Sequence, residues 1–81
     1  MKVKVRLLAH YRELVGSGER ILELPEGATV GQMLDEMMRS FPNLADHRDE
    51  ILVSVNKKQA PGRQVLHEGD EAVLLPPSVG G

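Results

Sequence analysis

A two-layer α+β fold, with one main amphipathic helix covering one face of a sheet, is what this sequence predicts from three observations. Its first residues alternate between charged and aliphatic, the period of a half-buried strand. One central segment repeats its apolar residues at helical spacing behind a capping box. Short apolar runs separated by turn residues then follow to the end of the chain.

The elements follow in order. In "KVKVRLLA", Val3, Val5 and Leu7 share one parity and Lys2, Lys4 and Arg6 the other, so the first strand has an apolar and a charged face. "HYRELVGSGE" reads as a short helical segment stopped at Gly16 and followed by a turn through Ser17 and Gly18. "RILELP" is a second strand ended by Pro25. In "PEGATVGQMLDEMMRSFP", Thr29 caps a helix and Gln32 completes the box. Val30, Met33, Leu34, Met37 and Phe41 form its apolar stripe, Met38 sits at the stripe's edge, and Pro42 closes the segment. "NLADHRDE" reads as a polar connection, "ILVSV" as a short buried strand and "NKKQ" as a turn. Glu68-Gly69-Asp70 is a tight turn, and "EAVLL" is the last strand, halted by Pro76 and Pro77. One helix covers one sheet face only, which leaves the other face to solvent or a partner.

The 81 residues are expected to form one domain, 1–81, with 76–81 as an extended tail. A net charge of −2, with Lys and Arg scattered, offers no basic field to nucleic acid or an anionic membrane, and one Phe, one Tyr and no Trp supply no platform for stacking bases. The absence of Cys removes disulfides, thiolate metal sites and cysteine nucleophiles together. "MKVKVRLLA" is not the charged-then-apolar pattern of a signal peptide and no run approaches membrane-spanning length, so the cytoplasm is the expected location.

Side-chain catalysis finds little support. Ser17, Ser40, Ser54 and Ser78 have no evident base partner, and no glycine cluster has the pattern of a phosphate-binding loop. His10, His47 and His67 lie far apart in the sequence, without helical metal spacing, and are expected as separate surface residues with no metal site. The chain is not expected to be an enzyme by itself. Two leucines break the strand pattern: Leu8 shares the parity of Lys2, Lys4 and Arg6, and Leu75 that of Glu71 and Val73. Both are candidates for a docking patch beneath the tail, against the alternative of a twist or bulge at the strand ends.

The tail "PPSVGG" is the remaining candidate. Pro76 and Pro77 favour an extended course, and six extended residues reach at most about 20 Å. Ser78 and Val79 continue the arm. Gly80 and Gly81 have no side chains to obstruct a narrow channel. A terminal carboxylate is ionised at neutral pH and can attack the α-phosphate of ATP held by a partner enzyme. The group to be activated is therefore expected to be the carboxylate of Gly81.

With "LLAHYRELVG", "VSVNKKQ", "LHEGDEAVLLPP" and the final "GG", nearly the whole chain resembles the ubiquitin-like sulfur carriers, most closely the small subunits of molybdopterin synthase. Ala72, where that family often has Val, is a small departure. The resemblance implies a β-grasp fold with a mixed sheet. It also implies that an E1-like adenylyltransferase uses ATP to adenylylate Gly81, and that a sulfurtransferase or cysteine desulfurase supplies sulfur for a C-terminal thiocarboxylate. A large catalytic subunit then receives the tail, in a hetero-oligomer, and sulfur passes to cyclic pyranopterin monophosphate. No cofactor is expected on this chain. Leu8 and Leu75 match family positions that contact partners, whereas the polar Gln59 stands where relatives can carry an apolar contact. Carriers for thiazole synthesis, tRNA thiolation or cysteine synthesis share the tail chemistry, as does a protein modifier forming isopeptide bonds through Gly81.

Overall fold

The computed structural model describes residues 1–77. Five strands form one mixed sheet: β1 (Lys2–Leu7), β2 (Glu19–Glu23), β3 (Leu52–Val55), β4 (Lys58–Gln59) and β5 (Glu71–Leu75), in the order β2-β1-β5-β3-β4. The two central strands, β1 and β5, run parallel, with Lys4 opposite Glu71 and Leu7 opposite Leu74. Each has an antiparallel neighbour on its other side, β2 beside β1 and β3 beside β5. This is the ubiquitin-like β-grasp arrangement.

Alternation decides which side of the sheet is buried. Val3, Val5 and Leu7 of β1, Ala72 and Leu74 of β5, and Val53 and Val55 of β3 all point into the core. There they join Val30, Met33, Leu34 and Met37 of α2 (Val30–Ser40) in one apolar cluster. The helix begins as its sequence requires. The Thr29 hydroxyl accepts from the Gln32 N–H, and the Gln32 carboxamide oxygen accepts from the Thr29 N–H at 2.9 Å. Residues 60–66 brace this end: the N–H of Gly31 donates to the carbonyl of Gly62, and that of Val30 to Gln64. A Cβ on residue 31 would stand 3.3 Å from the Gly62 oxygen, which explains a glycine in the first turn of a helix.

Two short helical segments complete the second layer. The first, α1 (His10–Val15), ends at Gly16, whose φ of 85° provides the left-handed cap. The second corrects the sequence reading. "NLADHRDE" is no irregular connection but part of a 3-10 helix, Pro42–Glu50, whose Leu44 is fully buried. Pro42, besides ending α2, opens this helix, where its missing N–H costs nothing. The segment has no sustained apolar stripe, and a single buried leucine leaves no periodic signal to read. "NKKQ" is also divided: Asn56 and Lys57 make the turn, and Lys58–Gln59 pair with β3 as β4. No helix among the described residues is long and apolar enough to cross a membrane.

Candidate functional site

The sheet face turned away from α2 carries the candidate docking surface. Register divides it into cross-strand rows. One contains Gln59, Ser54, Val73, Arg6 and Glu19, and the next Glu71, Lys4 and Ile21. At the end where β5 finishes, the row changes character. Leu75 lies opposite Leu52, and Leu8, one residue past β1, donates its N–H to the Leu74 carbonyl at 3.1 Å and so continues the parallel register to Leu75. Leu8 is 43% exposed, while Leu75 and Leu52 are half-buried. None of the three belongs to the buried core, so both leucines singled out by parity stand outside it. Leu52 completes the row and was missed, although its parity with Ser54 was a usable signal.

This apolar row is also where the chain leaves the sheet. Half-buried Pro76 and exposed Pro77 follow Leu75 directly. Ser78, Val79, Gly80 and Gly81 lie outside the described residues. The row therefore sits at the root of the proposed arm. Gln59 is exposed on the short edge strand, one row away, and does not join it.

Two backbone features frame the surface. Ala9, immediately after Leu8, has φ 53° and ψ −137°, a conformation that a residue with a Cβ rarely adopts and that costs about 1–3 kcal/mol. At the other end of the sheet, Asn56 (φ 50°) and Lys57 (φ 75°) form a two-residue turn with both residues left-handed. The Asn56 side chain donates to Asp70 Oδ1 at 2.9 Å and accepts from the Glu71 N–H at 3.1 Å. One asparagine thus joins the β3–β4 turn to the start of β5, which gives the "VN" of the sequence a structural reason.

The histidines require a second correction. His10 and His47 are not separate: their ring centroids lie 5.1 Å apart at the seam of α1 and the 3-10 helix. Glu50 Oε1 is the hub between them. It lies 2.6 Å from His47 Nδ1 and 3.7 Å from His10 Nε2, and it accepts from the Tyr11 hydroxyl at 3.4 Å. The hydrogen bond from His47 lowers the Glu50 carboxyl below its ordinary pKa, with the neighbouring imidazoles and Tyr11 acting in the same direction. The buried Tyr11 moves upward, chiefly by desolvation and then by the adjacent Glu50 carboxylate. His67 lies apart, exposed beside Asp70.

Comparison with known proteins gives the chain its family. The model of the ThiS family matches residues 5–81, a span that contains Leu8, Leu52, Leu75 and the whole tail. The chain belongs to this family. It is 33% identical to the molybdopterin synthase sulfur carrier subunit of Mycobacterium tuberculosis, covering 100% of this chain and 99% of that one. It is 32% identical to the Arabidopsis thaliana protein of the same name, covering 100% and 84%. Among solved structures, SAMP1 from Haloferax volcanii, the small archaeal modifier protein 1, superposes with a TM-score of 0.90 at 29% identity over the full length of both chains. Membership and fold agree with the resemblance drawn from "RELVG", "VN" and "LLPP".

Proposed function

We propose that this chain is the sulfur carrier subunit of molybdopterin synthase and that Gly81 carries the sulfur. The observation that supports it most is the union of two features at one place. Relatives of that name match the chain from end to end, and an apolar row with no role in the core lies at the root of a Pro-Pro-Ser-Val-Gly-Gly arm.

In this reading the Gly81 carboxylate attacks the α-phosphate of ATP bound to an E1-like adenylyltransferase, and pyrophosphate leaves. The terminal sulfur of a persulfide, supplied by a sulfurtransferase or cysteine desulfurase, displaces AMP to give an acyl disulfide. A second thiol, itself oxidised to a disulfide, cleaves the S–S bond to release the thiocarboxylate. The carrier docks through Leu8, Leu52 and Leu75 on the large catalytic subunit, and Pro76 through Gly80 thread into its channel. There the thiocarboxylate sulfur bonds to a carbon of cyclic pyranopterin monophosphate, and water cleaves the resulting thioester, leaving sulfur on the acceptor and returning the Gly81 carboxylate. The chain binds no cofactor in this cycle, and the cycle runs in the cytoplasm. The globular part supplies recognition, and the main-chain terminus supplies the chemistry.

Reconstitution tests it. The thiocarboxylated chain, the large subunit and cyclic pyranopterin monophosphate should yield molybdopterin. Protein lacking Gly81 should yield none while unfolding at the same temperature. Sulfur delivered to a tRNA or a thiazole precursor instead would reassign the acceptor. Likeness to the small archaeal modifier protein favours a second reading, in which the activated Gly81 forms isopeptide bonds with lysines. Conjugates detected with the activating enzyme and ATP, in the absence of molybdopterin formation, would select it.

A further inference from the structure

We infer that His10, His47 and Glu50 form a binding site for a divalent transition metal of the zinc class, joining the start of α1 to the end of the 3-10 helix. The donor set comes first. Two imidazoles and one carboxylate make the three-protein-ligand set that zinc accepts while leaving a fourth position to water, and the mixture of nitrogen with a single oxygen disfavours Mg²⁺ and Ca²⁺.

Distances come next. One donor atom from each residue lies within 4.8 Å of the other two. Tetrahedral coordination at about 2.0–2.1 Å requires donor separations of about 3.3 Å. His47 Nδ1 and Glu50 stand at 2.6 Å and His10 Nε2 and Glu50 at 3.7 Å, so side-chain shifts of under about 1 Å open the one and close the other. His47 and Glu50 are three residues apart on one helical segment, and His10 arrives from a different element.

The scaffold holds all three in place. His10 adjoins Tyr11, whose ring is buried. The 3-10 helix is pinned on both sides of His47: Leu44 is buried, and Arg48 pairs with Asp35 at 2.6 Å and donates to the Gly31 carbonyl. Asn43 donates to the Leu14 carbonyl at 3.0 Å and so ties this helix to α1 directly. The Tyr11 hydroxyl, bonded to Glu50, is the outer hydrogen bond that orients a ligating carboxylate. The unfolded chain separates His10 from His47 by many residues, so the ion favours the folded state. The site stands independently of the sulfur-carrier reading.

The test uses untagged, chelator-treated full-length protein. Equilibrium dialysis against ZnCl₂ should load one zinc per chain, MgCl₂ should load none, and zinc should raise the Tm by about 5 °C or more at saturating excess. His10→Ala and His47→Ala should each weaken zinc binding at least about tenfold, while His67→Ala should leave it unchanged. All three positions are at least partly exposed, and circular dichroism of the metal-free variants should show the native fold. Failure to bind zinc, or equal binding by the His10→Ala, His47→Ala and unsubstituted proteins, would overturn the site.

Discussion

The two faces of β5 show opposite uses of the same residue type. Leu74 points inward and is completely buried among Val5, Val53 and Met37 in one cluster, whereas Leu75, the next residue, points outward beside Leu52 and Leu8. Both are leucines in a central strand, yet only the first is explained by folding. The inner face holds the domain together by removing apolar area from water. The outer row keeps apolar area in partial contact with water at the end of β5, and the function proposed above buries it against a partner. Apolar residues that the core does not need are therefore the more informative ones about function.

The largest effect expected is on the inner face. Leu74→Ala should cost about 3 kcal/mol, a substantial share of the stability of so small a domain, while Leu75→Ala should cost about 1 kcal/mol or less. Denaturant unfolding of both variants checks this, and equal losses would erase the distinction between the faces. Asn56→Ala comes next. It removes the bonds to Asp70 and Glu71 and places alanine at a positive φ, for an expected loss of about 1–2 kcal/mol in the same measurement, with Leu8, Leu52 and Leu75 undisturbed at the far end of the sheet.

Ala9→Gly sharpens the comparison from the other direction. Relief of the positive φ beside Leu8 should raise stability by about 0.5–1 kcal/mol, measured as a higher Tm. A lower Tm would mean that Ala9 is unstrained. The smallest effect is optical. Tyr11 is the single tyrosine, so its ultraviolet titration is unambiguous. In metal-free protein its midpoint should lie above that of free tyrosine, about 10. A pKa raised by folding means that the associated stability is present below the unfolded value of about 10 and is lost as the pH rises through the folded one. In Glu50→Gln the midpoint should fall toward 10 without reaching it, because burial, the larger cause, remains.

Much of the fold could be read along the chain because its signals are local. Val3, Val5 and Leu7 mark their buried face by alternation, Thr29 and Gln32 mark the helix start by hydrogen-bonding spacing, and Gly16 marks the end of α1 by its backbone freedom. The exposure of Leu8 and the outward parity of Leu75 were legible on the same grounds. The 3-10 helix was not, because Leu44 alone among polar residues has no period.

What the sequence by itself determined, then, is most of the elements, the 3-10 helix and the short β4 excepted, and the face that each of those buries. Tertiary structure alone decided which residues from distant segments meet. The parallel pairing of β1 with β5 carries Leu8 to Leu75, antiparallel pairing adds Leu52, and the packing of α1 on the 3-10 helix brings His10 to His47 and Glu50. The physical reason is one of range. Periodicity and capping act over a few residues and are written in the order of the chain, whereas register and packing depend on burying all the apolar faces at once.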